Sequence, residues 1–541
     1  MPRLGDRWLG AIERLGARFA ARKRAVIIAV ALAAIILRLS LLWPMPAPVP
    51  AAHDEFSYLL AADTFVHGRL TNPPHPMWIF LQTIHVNQHP TYMSKYPPAQ
   101  GAVLALGMLL GHPWIGVLLS MAGMCAAITW MLQGWFPAEW ALLGAVLALV
   151  QFAAFNYWVD SYWGGAVAAI GGALVMGSLP RILHRQRASD SVLLGLGAAI
   201  LANSRPVEGL LFCLPVAAVL GGWLVSQRSS WQVTVQKIIL PVSVILLFAL
   251  GFVAYYNWRV THNPLLFPYV VHQREHFTSP PFMWQKSQPP LHFANPQFDA
   301  FYNIEQRAEF EDRQTHFVRT CLVRIKDLSV FFCGTLFPAP LLTLPWLLRD
   351  RRTRVLIVQL LLSSLGLLLV VPFFMHYAAP LTATVLALIV QGFRHLRHWQ
   401  HRGRPVGIGL SRVLVMLAVV MVPAHMVKTT LEARHGVSWR DPAMPERARI
   451  AARLEAMAGQ HLVLVRYSPE HNVHEEWVYN AADIDHAKIV WAREIPGLDL
   501  KPLLDYFRGR TVWVVNADTV PVQLQSYQSP AASQETLNSS Q

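Results

Sequence analysis

With 541 residues, 54% of them hydrophobic and only 14% charged, the chain carries too few charges to clothe a soluble globule of its size. The formal charge of +14 does not point to nucleic acid, because Lys and Arg gather in short clusters between apolar runs, where a membrane-topology signal sits. The four cysteines, Cys125, Cys213, Cys321 and Cys333, are scattered, and three lie inside apolar runs, so neither a disulfide framework nor a thiol metal site is implied.

The chain opens with a basic stretch over residues 1–24, followed by an apolar run over 25–43. That run is longer than a signal-peptide core and reads as an uncleaved span. Its only charge, Arg38, lies in the outer turns, where it either snorkels to the headgroups or reaches an outer-face site. Ten further runs of spanning length follow near 113–133, 139–157, 164–181, 190–204, 207–226, 237–257, 328–348, 354–374, 377–393 and 407–427, which makes eleven. With the N-terminus inside, the basic connections at 22–24, 181–187, 228–237, 349–354 and 394–404 all fall on the cytoplasmic face. This topology requires the short apolar piece 102–110 to re-enter or to lie at the interface.

Three segments then emerge on the outer face: a loop over 44–112, a second over 258–327, and the chain from 428 onward. Pro280-Pro281, Pro289-Pro290 and many aromatics make the second loop an ordered, irregular lid. In the third, a helix at 445–457, strands at 461–467, 488–491 and 511–515, and a helix at 500–507 predict a small α/β domain over 428–520. Residues 521–541, rich in Ser and Gln, read as a disordered tail.

The charged residues at the outer ends of the spans are where chemistry is to be sought. HDEFSYLL places Asp54 and Glu55 at the start of a helix, with Tyr58 on roughly the face of Asp54. Acids at a helix N-terminus are also stabilised by free amides and the macrodipole, so this pair alone is equally a cap. TYMSKYPPAQG puts Lys95 at headgroup depth, suited to a lipid phosphate or simply snorkelling. Arg205, in ANSRPVE, runs against the charge bias of the short outer connections, and Glu208 one turn on is a candidate ion-pair partner. NYWVDSYWGG sets Asp160 and Tyr162 among aromatics, which reads either as an interfacial belt or as a sugar-binding carboxylate. His376 and Tyr377 share a very short outer turn, where they bind a phosphate or cap a helix. Five histidines, His53, His67, His75, His85 and His89, crowd the first loop, but their spacings match no compact zinc motif or helical pair, so a metal is not favoured.

Taken together and in this order, the Asp54-Glu55 pair with Tyr58, the Lys95-x-Pro97-Pro98 segment, the aromatic-flanked Asp160, Arg205-Pro206, and His376-Tyr377 with Pro380 resemble the GT-C glycosyltransferases. The resemblance is particularly to the protein O-mannosyltransferase and lipid A aminoarabinose transferase branch, and it covers roughly residues 25–395. It implies an α-helical polytopic bundle of about eleven spans in a bacterial inner (plasma) membrane, with the N-terminus cytoplasmic and the C-terminal domain extracytoplasmic. It also implies a polyprenyl-phosphate sugar donor, a glycolipid, polysaccharide or protein acceptor, and no required cofactor. Asp54 would be the general base, assisted by Glu55; Tyr58, Asp160 and Tyr162 would bind acceptor or sugar; Lys95, Arg205, His376 and Tyr377 would hold the lipid phosphate. Arg205 stands where that family often has Lys, and His376 where it often has Arg. The bottom-up chemistry agrees, since a positioned carboxylate can take the acceptor's proton while fixed cations stabilise a departing phosphate where water is scarce. No nucleotide-binding glycine loop appears on the inner face. The competing readings are a polytopic lipid or oligosaccharide transporter or flippase, which requires ionisable groups at mid-membrane, and a surface-polysaccharide polymerase or ligase, for which Arg274 and Arg307 in the second loop leave room.

Overall fold

The structure is a computed structural model that describes residues 6–226, 230–334, 338–351, 353–435 and 445–528. The N-terminal part runs α1 (Asp6–Ala20), α2 (Lys23–Leu39), α3 (His53–Val66), α4 (Pro98–Leu109), α5 (Pro113–Trp135), α6 (Ala138–Phe152), α7 (Ala166–Arg185), α8 (Ala188–Ser204) and α9 (Pro206–Ser226). Proline at the first turn of α4, α5 and α9 sets φ where no amide partner is needed, which is why the chain re-enters helix immediately after each turn. Among the described residues six helices are long and apolar enough to cross a bilayer: Pro113–Trp135, Ala166–Arg185, Pro206–Ser226, Trp231–Thr261, Met375–Arg397 and Val406–Arg434. Four more apolar helices are shorter, namely Pro98–Leu109, Ala138–Phe152, Ala188–Ser204 and Arg354–Leu369.

The predicted span at 328–348 is not one helix. A helix over Phe317–Cys333 stops at Gly334, whose φ of +46° breaks the helical path, and short helices follow at Pro338–Leu342 and Leu344–Arg349. Arg324 on the first of these fills the bundle with a guanidinium that donates to the carbonyls of Leu367, Val370 and Val371. The expected short piece at 102–110 is α4, packed on α5 so closely that a Cβ on Gly107 would lie 2.4 Å from the Gly116 backbone nitrogen.

The core lies among α2, α5, α6, α7 and the Thr382–Arg397 helix, while Trp231–Thr261 and Val406–Arg434 leave Leu247, Phe248, Val413 and Val420 exposed. In water such surface is a liability, and in a bilayer it is the lipid-facing wall. Trp158 and Tyr162 are fully buried, so the aromatic connection around Asp160 is interior packing rather than an interfacial belt.

After the short antiparallel pair β1 (Val86–Asn87) and β2 (Met93–Ser94) in the first outer loop, the outer domain has a four-stranded sheet in the order β4-β3-β5-β6, where β3 is His461–Arg466, β4 Ile489–Arg493, β5 Thr511–Asn516 and β6 Leu524–Ser526. β3 pairs in parallel with both β4 and β5, and β6 closes one edge antiparallel to β5. The ordered chain therefore runs past the expected boundary at 520, because β6 takes up 524–526 and buries Val522; residues 529–541 of the expected tail lie outside the described residues. Parallel strands need cover on both faces. Val463 and Val465 face Ile450 and Leu454 of the Pro445–Ala456 helix, while Leu462 and Leu464 face Leu60, Phe80 and Leu81 of the first outer loop. Each such buried side chain contributes about 2 kcal/mol, so the first loop and the outer domain share one core.

A candidate active site at the outer face

α3 carries Asp54 in its first turn. Its N-cap, Ala52, offers no capping oxygen, and Glu55 takes over that task. One Glu55 carboxylate oxygen accepts the backbone N–H groups of Ala51 (2.8 Å) and Ala52 (3.0 Å), and the other accepts that of Tyr162 (3.0 Å). Glu55 is fully buried and its oxygens are engaged by amides, so it anchors the turn that presents Asp54. Tyr162 belongs to the same web: its hydroxyl donates to the Pro48 carbonyl (2.8 Å) and its own carbonyl accepts from Gln100 (2.8 Å).

Asp54 is turned the other way. The Tyr96 hydroxyl donates to its Oδ1, and the Tyr96 ring stacks on Tyr58 with centroids 4.5 Å apart. Lys95, one residue earlier in the chain, extends between the rings of Tyr96 and Phe277 and donates to Nδ1 of His85 at 2.8 Å. His85 holds a left-handed backbone conformation, φ +67°, pinned where its carbonyl accepts from the Ser57 hydroxyl (2.7 Å). Arg205, at the C-terminal end of α8, lies over the Tyr377 ring at 4.3 Å. The Tyr377 turn is itself seated on α7, where a Cβ on Gly172 would lie 2.1 Å from the Pro380 carbonyl oxygen.

The fields of these groups overlap. Asp54 is only half-exposed and deep among protein atoms; this desolvation pushes its carboxyl above the usual range, against the pull of Lys95, Tyr96 and Arg205. Burial likewise brings the Lys95 ammonium down to about 7, with Asp54 opposing and Arg205 reinforcing the fall. Among the described residues neither Lys95 nor Arg205 forms an ion pair with a carboxylate, Glu208 included. Lys95, Arg205 and Asp54 thus act on one another, with Glu208 beside Arg205, in a cluster that includes Tyr58, Tyr96 and Tyr377.

Besides Glu55 and Tyr162, two more expected site residues stand elsewhere. Asp160 is paired with Arg38, whose nitrogens lie 2.7 and 2.9 Å from Oδ1 and which also donates to the Met45 and Pro46 carbonyls. Both partners are buried, so Arg38 neither snorkels nor meets a ligand, and Asp160 ties α2 to the connection before α7. The Tyr157 hydroxyl is 3.0 Å from both the backbone nitrogen and Nδ1 of His376, and that ring packs on Trp163 and Phe374; it supports the turn carrying Tyr377.

The first-loop histidines are spent singly: His53 meets the Tyr479 hydroxyl, His67 the Asp63 carbonyl, His75 the Asp485 carboxylate, His85 Lys95, and His89 the Trp78 ring. Among the described residues no group of three or more His, Cys, Asp or Glu is arranged to hold a metal ion.

Sequence reasoning missed Tyr96, although it lies inside the Lys95-Pro97-Pro98 segment, and it missed the contact between the C-terminal domain and α3. Tyr479 stacks on Phe56 at 3.7 Å, and Arg447 spreads over Phe56 and Trp491 while donating to the Trp477 and Tyr479 carbonyls. The first turn of α3 is thereby clamped from above.

Fold and site define a polytopic helical membrane protein that brings a desolvated carboxylate close to two cations, neither of which forms a carboxylate ion pair among the described residues. No family model and no curated relative matches the chain. Similar solved structures include ArnT from Cupriavidus metallidurans bound to undecaprenyl phosphate, with 12% identity, a TM-score of 0.48, and 91% of this chain and 92% of that one covered. The same protein in the apo state gives 12% identity and a TM-score of 0.49 over 92% of both chains. The Archaeoglobus fulgidus oligosaccharyltransferase tethered to an acceptor peptide gives 10% and 0.44, covering 91% of this chain and 69% of that one. At identities this low the side chains of the site are read on their own geometry.

Proposed function

We propose that the protein is a membrane glycosyltransferase that moves a sugar from a polyprenyl-phosphate donor to an acceptor at the outer face, with Asp54 as general base. The observation that carries this reading is the cluster itself: Asp54 lies close to Lys95 and Arg205, and neither cation is ion-paired to a carboxylate among the described residues. Unpaired, desolvated cations suit an anionic group supplied by a ligand. A carboxylate beside them suits a hydroxyl that must lose its proton as its oxygen attacks the anomeric carbon. The carbon–oxygen bond to the lipid phosphate then breaks, and the phosphate leaves carrying negative charge that Lys95 and Arg205 stabilise. A narrow cleft beside Glu208 and Tyr377, lined otherwise largely by apolar side chains such as Leu211, Phe212 and Leu367, is where an isoprenoid tail would lie.

The transporter reading is less favoured because these ionisable groups sit at the outer ends of helices rather than at mid-membrane. Lys95→Ala and Arg205→Ala are expected to raise the donor KM at least about tenfold each, in line with loss of a charge-assisted contact. The check is transfer from a polyprenyl-phosphate sugar in proteoliposomes across donor concentrations. Unchanged donor dependence in both variants would remove the phosphate role.

A further inference from the structure

The site does not use the opposite end of the molecule, where α1 is built with three distinct faces. At 3.6 residues per turn, Trp8, Ile12, Leu15 and Phe19 fall within about 60° of one another. All four are exposed, Trp8 by 80%, Leu15 by 69% and Ile12 by 65%, on a helix the rest of the chain holds firmly. The holding face is Glu13, Gly16 and Ala20. Glu13 takes a two-pronged contact from Arg397 (3.0 and 2.9 Å) and a second from Arg412 (3.1 and 3.2 Å), Gly16 lies against Leu142 of α6, and Ala20 is buried. Burial pushes the Glu13 carboxyl up, but hydrogen bonds from Arg412 and Arg397 outweigh it and hold the group down to about 2, so the clasp stays charged. The third face carries Arg7, Arg14 and Arg18, all exposed; the break before α2 adds Arg22, and the first turn of α2 adds Lys23 and Arg24.

The apolar stripe is therefore not a core face waiting for this chain: the pinned side is already satisfied, and the stripe points away from it. Arginines border the stripe on one flank, and the helix sits where α2, α6 and the Thr382–Arg397 and Val406–Arg434 helices end or begin. We propose that α1 lies in the bilayer surface on the N-terminal side of α2, with Trp8, Ile12, Leu15 and Phe19 sunk to the acyl boundary and Arg7, Arg14 and Arg18 engaging anionic headgroups. Charge complementarity selects this occupant, since a basic flank beside an apolar stripe of this width fits an anionic lipid surface. The ion pairs of Glu13 then connect the leaflet's charge to the ends of two bundle helices.

The test uses the full chain in nanodiscs of phosphatidylcholine alone or with added phosphatidylglycerol, with bromines on the upper acyl chain. The Trp8 signal is read as the fluorescence difference between the parent and Trp8→Phe. Quenching of that difference is expected, and at least about twofold stronger with phosphatidylglycerol, as headgroup attraction of arginines requires. Replacing Arg7, Arg14 and Arg18 together by Gln is expected to abolish the phosphatidylglycerol increment while α1 stays pinned through Glu13. A Trp8 signal unquenched in both lipids overturns the proposal, as does an increment that survives the triple substitution. Crosslinking between two copies through Trp8→Cys, in place of quenching, assigns the stripe to a second chain and equally overturns it.

Discussion

Asp54 and Lys95 each change what the other can do. Desolvation raises the proton affinity of Asp54, which makes it a stronger base than a carboxylate in water, while the nearby cations and Tyr96 keep it ionisable. Lys95, brought down to about 7, is charged below that pH and loses its charge above it until a bound phosphate restores the proton. Donor kcat/KM is therefore expected to fall as pH rises through about 7, and on the acid side to fall at a pH above the ordinary carboxylate range. Tyr96→Phe removes a hydrogen bond that favours the ionised carboxylate, so the acid limb is expected to move to still higher pH, with kcat reduced about tenfold. A pH profile of both proteins checks this, and coincident acid limbs would show that Tyr96 does not act on Asp54. Asp54, Lys95 and Arg205 stood out in the sequence because charge at the ends of apolar runs demands a reason, and the fold brings the three near one another. The roles of Glu55 and Asp160 were not legible, since a carboxylate's role depends on its partner. Asp160 finds Arg38 at 122 residues' separation, and Glu55 finds the Tyr162 amide at 107.

At the scale of elements, the buried Arg38–Asp160 pair joins α2 to the segment before α7, and both partners are lost to ligand chemistry. Asp160→Asn is expected to lower stability by about 3–5 kcal/mol, the usual result of leaving one buried charge uncompensated. Donor KM in the surviving folded protein should stay unchanged, as read by thermal unfolding and steady-state kinetics on one preparation. A raised KM at unaltered stability would return Asp160 to the ligand site. The long apolar helices were legible because length and composition determine them, as at Pro113–Trp135 and Pro206–Ser226. The region predicted as one span at 328–348 was not. Its hydropathy is continuous, but Gly334 adopts a positive φ and Pro338 opens a new helix, and composition does not register such breaks.

Over the whole molecule, the outer domain completes the site that the bundle begins. Its strands and helices were foreseen from alternation and turns, whereas its docking was not, because the contacts join residues some 400 positions apart. Ala482 donates to Asp63 at 2.7 Å, Tyr92 to the Asn480 carbonyl at 3.1 Å, and Thr83 to the Val478 carbonyl at 2.7 Å. The parallel sheet explains this after the fact: the Pro445–Ala456 helix covers one face, and the other is covered by Leu503 and Phe507 together with the first outer loop. The same packing fixes α3, and with it Asp54, against a rigid wall. In the proposed function Asp54 takes the acceptor's proton. That step is tested most directly by measuring sugar transfer and polyprenyl-phosphate binding together for Asp54→Asn in proteoliposomes. The expected result is loss of transfer by at least about a hundredfold with lipid-phosphate affinity retained. Transfer at the parent rate in that variant would contradict the account.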